Sequence, residues 1–229
     1  MQKPFSITTD FTHTAMECLY YERIKMLKNI KRIEEFLYQI QLPKDTINSG
    51  LEHLEKYRQH FFKWNQTHSL SRIQTQEEWV DYCLDCLYPL SFISPLESVL
   101  DVGSGSGIPA LVWAVFFPHI PFVLVESKGK KVAFLKIATL SAGLKNVSIQ
   151  HSRIEDLNFS NSFKLITFRA VGSIQTCLQL IAHLRQRDIL LFKGQSAMQE
   201  TYNSKTHHFK FYPHGRMLYL YHQEGENYG

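Results

Sequence analysis

The sequence predicts an α/β fold, a mostly parallel seven-stranded sheet with helices on both faces and an N-terminal helical extension. Three observations carry this expectation. From about residue 96 onward, short β-branched and apolar runs alternate with helical runs, the pattern of a parallel sheet wound with crossover helices. Before that point apolar residues recur only at three- and four-residue steps, with no strand among them. Third, the apolar run ending Val99-Leu100-Asp101-Val102 passes through Gly103, Gly105 and Gly107 into the apolar stretch Ala110 to Phe117. A glycine-rich strand-to-helix turn at the carboxyl edge of a parallel sheet is where nucleotide-like cofactors bind. Residues 1–95 are therefore expected to form the helical extension packed on the core, and residues 96–229 the sheet-bearing domain.

A chain of 229 residues can bury a full core. No stretch approaches the ~18–20 continuous apolar residues of a membrane span. Met1 to Asp10 lacks the charged-then-apolar build of a secretory leader. The four cysteines, Cys18, Cys83, Cys86 and Cys177, are too irregularly spaced for a disulfide framework. A cytoplasmic monomer is the expectation, with neither membrane nor metal as a partner. The formal net charge of +4 is compatible with a polyanion, but no run of like charge marks where it would lie.

Taken in order, Met16, Leu19, Tyr20, Ile24, Leu27, Ile30, Ile33 and Leu37 predict an amphipathic helix over about 16–41, with Lys25, Lys28, Lys31 and Arg32 outward. Leu42-Pro43 ends it, and a second helix is expected over 44–62, with Asn65 as its closing cap and Trp64 as a core anchor. Thr75 with Glu78 three residues on forms a capping box for a third helix, 75–90. Cys83-Leu84-Asp85-Cys86 lies inside that helix. It lacks the second Cys/His pair of a zinc site and the helix-start setting of a redox motif, so two small buried residues are expected. Strands follow at 97–102, 121–126, 146–150, 164–168 and 187–193, with helices at 108–117, 128–142, 172–185 and 196–202. A final hairpin, 206–212 and 215–222, turns at Pro213-His214-Gly215. The pair His207-His208 on its first strand has no metal-ligand spacing.

The spacing Asp101-x-Gly103-x-Gly105-x-Gly107 differs from the dehydrogenase fingerprint, because its third glycine comes one residue early. The surroundings sharpen the signal. Phe122-Val123-Leu124-Val125-Glu126 is a second strand ending in a carboxylate, placed to grip a ribose diol. After the third strand, Ile154 beside Glu155 and Asp156 suits an adenine ring and its amino group.

This pattern resembles the class I S-adenosylmethionine-dependent methyltransferases, Rossmann-like enzymes whose first motif is an acid followed by G-x-G-x-G. A narrower resemblance rests on Trp64-Asn65 with Leu70-Ser71, Leu84-Asp85, Asp101 through Pro109, Ser127 with Gly129-Lys130-Lys131 and Phe134-Leu135, Ser152 through Glu155, Arg169-Ala170, and Lys193-Gly194-Gln195. In this order these are similar to the small-subunit ribosomal RNA guanine-N7 methyltransferase G family, also called glucose-inhibited division protein B. The match spans roughly residues 50–220. It implies an S-adenosylmethionine-binding domain and methylation of a guanine in 16S ribosomal RNA, alone or in the 30S subunit.

Carried over by position, the resemblance implies cofactor contacts from Asp101, Gly103, Ser104, Gly105, Ile108, Glu126, Ser127, Ile154 and Glu155. Arg169, which follows the fourth strand, is implied at the site mouth, touching the cofactor and serving as the catalytic residue. Glu126 stands where the family usually has Asp. Asp81-Tyr82 replaces the family's Arg-His, Ser69 replaces an Asn, and Ala110 replaces a Gly. Guanine N7 carries a lone pair and no proton, so alignment can do most of the catalysis without a general base. Arg169 then suits recognition of the N7/O6 edge or a phosphate, or bracing of the cofactor. Lys130, Lys131, Lys136, Arg153 and Lys193 are a candidate RNA rim. Two other readings of the chain predict different ligands: an NAD-dependent oxidoreductase on the same sheet, and a non-catalytic ribosome-associated RNA-binding or assembly protein with a vestigial pocket.

Overall fold

The computed structural model describes residues 30–93, 96–159, 163–184, 186–194, 206–210 and 217–222. It contains helix α1 (30–39), α2 (Lys44–His68), α3 (Gln76–Leu87) and a 3₁₀ turn, Tyr88–Ser91. There follow β1 (Val99–Val102), α4 (Ala110–Ala114), β2 (Phe122–Glu126), α5 (Gly129–Ser141), β3 (Val147–His151), β4 (Phe163–Arg169), α6 (Ile174–Leu180), β5 (Gln186–Lys193), β6 (Thr206–Lys210) and β7 (Met217–His222). The expected helix at 196–202, the turn at 213–215 and the chain before residue 30 lie outside the described residues.

The sheet has seven strands in the order β3-β2-β1-β4-β5-β7-β6. Five of them, β1 to β5, are parallel, and the β6–β7 hairpin is antiparallel, with β7 paired to β5. The order reverses between β1 and β4, whose carboxyl ends carry the glycine turn and Arg169. Such a reversal opens a crevice at the carboxyl edge, because the connections leaving the two neighbouring strands run to opposite sides.

All four residues of β1 are buried, as befits a central parallel strand covered on both faces. On one face, α1, α2, α3, α4 and α5 share a core that includes Leu37, Tyr57, Phe61, Trp79, Trp113, Phe134 and Leu190. On the other, Leu100, Val102, Ile166, Phe168 and Ile189 pack with Ile174 and Cys177 of α6. The helices before the sheet thus share one apolar core with it.

Local signals explain the helix ends. Thr75 accepts from Glu78 N while Glu78 Oε2 accepts from Thr75 N, the expected capping box. The second helix runs further than 62: it continues to His68, and Ser69 closes it in the left-handed region at φ 46°. Asn65 is therefore not the cap. It is buried in the last turn, donating from Nδ2 to Ile73 O at 2.8 Å and accepting from Ser71 N at 2.8 Å. That amide pins the loop joining α2 to α3.

Candidate active site

The three glycines of the turn are not equivalent. An added Cβ at Gly107, where φ is +85°, would meet Leu111 Cδ1 at 2.5 Å, so this glycine lets α4 pack against the turn. A Cβ at Gly105, φ +59°, would meet nothing closer than Lys131 Nζ at 3.6 Å and Gly103 O at 3.7 Å. A Cβ at Gly105 would thus fit without a clash, with the Lys131 ammonium as its nearest neighbour, and the exposed glycine of the turn is Gly103. The turn is braced from the helical extension, since Tyr57 of α2 donates its hydroxyl proton to Ser106 O. Ile108 is buried in the larger core, so its side chain packs on protein.

Asp101 is 1% exposed, and its Oδ1 accepts from Thr167 Oγ1 at 2.6 Å. Its Oδ2 is buried without a hydrogen-bond partner. Burial pushes its carboxyl up to about 6, against the pull of the Thr167 and Ser104 hydroxyls and the Arg169 charge. Ser104 is itself buried, with Oγ donating to Asp101 O at 2.8 Å, so its hydroxyl serves the turn.

Glu126 takes a different posture from the one its motif suggests. Its carboxylate is buried, Oε2 accepting from Gly105 N at 2.9 Å and Oε1 from Lys128 N at 2.9 Å. The carboxylate clamps the glycine turn to the end of β2. Each carboxylate oxygen has a second acceptor site, so both remain able to receive a ribose hydroxyl. Ile154 is buried in the second core within a one-turn 3₁₀ helix, while Glu155 and the neighbouring Asp156 are exposed.

Arg169 ends β4 with its guanidinium in a slot between helix and sheet. Cζ lies 4.7 Å from the Tyr82 ring centroid and 5.7 Å from that of Phe192. Nη1 donates to Cys86 Sγ at 2.7 Å. Burial pushes the Cys86 thiol up to about 11, so the sulfur is uncharged at neutral pH. Cys83 is likewise fully buried with a raised pKa, burial again the main cause. The C-x-x-C is thus a pair of buried thiols, one of which supports Arg169.

The basic rim divides. Lys130, Lys136 and Arg153 are exposed, as is Ser127 at the end of β2. Lys131 is half-buried, with Nζ beside Gly105. The Lys193 ammonium donates to Gly172 O. Among the described residues no group of three or more His, Cys, Asp or Glu side chains could hold a metal ion. Nor is any described helix long and apolar enough to cross a membrane.

The braces at Tyr57, Tyr82 and Cys86 were not among the expected site residues. Nothing local in the sequence says what they would face.

The family described as rRNA small subunit methyltransferase G matches residues 50–219. This chain belongs to that family. Membership in the methyltransferase G family agrees with the acid-and-glycine turn and disfavours both the oxidoreductase and the non-catalytic reading. The chain is 40% identical over 152 residues to ribosomal RNA small subunit methyltransferase G of Wolinella succinogenes, covering 66% of this chain and 78% of the relative. It is 35% identical over 170 residues to the protein of that name from Helicobacter pylori, covering 73% and 94%. With the one from Ruthia magnifica it shares 33% over 168 residues, covering 72% and 80%. With the family established, the sheet and its two helical faces are a class I, Rossmann-like methyltransferase fold.

Proposed function

We propose that this protein transfers a methyl group from S-adenosylmethionine to N7 of a guanine in 16S ribosomal RNA. The observation that carries the reading is the buried, unpartnered Asp101 Oδ2 beside a glycine turn whose first glycine, Gly103, is exposed. A buried carboxylate oxygen left without a donor is costly unless a ligand supplies one. The ammonium of the donor's amino-acid tail is such a ligand, and Asp101 is ionised to meet it above about pH 6. Glu126 would hold the ribose diol with its spare lone pairs, Ile154 would lie against the adenine, and Glu155 would accept from the adenine amino group. Gly103, Gly105 and Ser127 would line the same pocket, with Ser104 and Ile108 contributing backbone alone.

When bound, S-adenosylmethionine supplies an electrophilic methyl carbon. The chain's own residues do the rest by placement. N7 of guanine needs no deprotonation, so an in-line approach and exclusion of competing geometries suffice. Arg169 would orient the O6 edge or an adjoining phosphate, keeping its charge off the N7 lone pair. Lys130, Arg153 and Lys193 would meet backbone phosphates, with Lys131 nearer the cofactor than the rim. The protein would act as a cytoplasmic monomer on 16S RNA, free or within the 30S subunit.

The test uses 30S subunits and 16S RNA from cells lacking the protein, incubated with it and a methyl-labelled donor. Digestion to nucleosides should place the label in 7-methylguanosine. Label in another nucleoside, or none in either substrate, would overturn the assignment.

A further inference from the structure

We infer that Tyr82 is a positioning residue for Arg169: its ring, presented by α3, holds the guanidinium at the site mouth in the orientation that transfer requires. The inference rests on the proposed role of Arg169 in the reaction. Arg169 forms no ion pair with an acid among the described residues, although Asp101 is close enough to feel its charge. What holds it is the Tyr82 ring at 4.7 Å, the Phe192 ring at 5.7 Å and the Cys86 sulfur at 2.7 Å.

The choice of partners has a chemical consequence. A carboxylate would take two guanidinium N–H groups in a bidentate pair and neutralise the charge. An aromatic ring attracts the cation through its face and occupies none of the in-plane donors. Among the described residues, only the donor on Cys86 is engaged by a side chain, and that sulfur is uncharged. The remaining donors keep their charge and direction for the acceptor edge of a guanine or for a phosphate.

Tyr82 is itself held. The preceding residue, Asp81, accepts from Arg32 Nη2 of α1 at 2.8 Å, and the following one, Cys83, is wholly buried. The turn of α3 that presents the ring is thus fastened on both sides. Through it the helical extension contributes to the orientation of a residue on the sheet.

The experiment compares Tyr82→Phe, Tyr82→Leu, Arg169→Ala and the Tyr82→Leu/Arg169→Ala double variant in methyl transfer to 30S subunits. Binding of S-adenosylhomocysteine and the Arg169 Nε–Hε NMR resonance are measured alongside. Tyr82→Leu should lower kcat about fivefold to thirtyfold, the rate equivalent of a partly desolvated cation–ring contact, and move the Arg169 resonance. S-adenosylhomocysteine affinity should stay within about twofold, Tyr82→Phe should restore turnover, and the double variant should be no slower than Arg169→Ala. Unchanged turnover in Tyr82→Leu, or a double variant slower by the product of the two single losses, would overturn the role of Tyr82 while leaving that of Arg169. Full turnover in Arg169→Ala would overturn the role of Arg169 itself, whatever the resonance does.

Discussion

Replacing Asp101 by Asn removes the one buried carboxylate in the site whose ionisation the fold opposes. Its pKa stands at about 6 against 3.8 for a free side chain, chiefly because burial penalises the charge. Two pH units and a little more correspond to about 3 kcal/mol of differential interaction. The sign follows from proton linkage. A raised native pKa means the folded state binds the proton more tightly. The stability this group contributes is then complete below the unfolded value and lost as pH rises through the folded one. Between about pH 4 and about pH 8, wild type should lose about 2–3 kcal/mol relative to Asp101→Asn. Guanidinium denaturation of both proteins across that range measures the difference directly, and other carboxylates cancel because both proteins carry them. The Asn variant should also lose the stabilisation that S-adenosylmethionine gives wild type at neutral pH. Stability curves that run parallel with pH would refute the buried, high-pKa assignment of Asp101.

Other substitutions separate the roles of neighbouring residues. Gly107→Ala places a methyl about 2.5 Å from Leu111 in a left-handed backbone and should cost at least about 2 kcal/mol in thermal or chemical denaturation. Gly105→Ala meets no such clash and should cost about 1–2 kcal/mol in stability while weakening cofactor binding at least about tenfold by calorimetry. Asn65→Ala removes both hydrogen bonds to the α2–α3 loop and should destabilise by about 2–3 kcal/mol, with cofactor affinity in the residual folded protein intact. Thr75→Ala, at an exposed cap, should cost about 1 kcal/mol and leave turnover unchanged.

Much of the fold was legible because its signals are local. Each parallel strand is a short apolar run, and each following helix restarts a three-to-four periodicity, so β1 to β5 fall within two residues of expectation at either end. The Thr75–Glu78 box sits in four consecutive residues and could be read outright. The end of α2 could not. Asn65 is a common helix terminator, but here its amide is drawn to Ile73 and Ser71 further along the chain, and the helix continues past it.

At the site, Asp101, Gly105 and Glu126 were legible because strand ends and turns confine them to one edge. The posture of Glu126 was not, since a carboxylate that would hold a diol can equally clamp a loop. No local signal marks Tyr57, Tyr82 and Cys86 as braces of the site, because their partners, Ser106 and Arg169, lie 49 to 87 positions away in sequence. Periodicity says that a side chain is turned inward. Only the packing of α2 and α3 against the sheet edge decides which inward group it meets.

The most direct measurement is calorimetric titration of the purified protein with S-adenosylmethionine, alongside Glu126→Ala and with NAD as the competing ligand. Saturable binding of S-adenosylmethionine that Glu126→Ala weakens at least about tenfold, with no heat from NAD, is the expected result. Absence of S-adenosylmethionine binding, equal binding by Glu126→Ala, or tighter binding of NAD would contradict a methyl-donor site at this glycine turn.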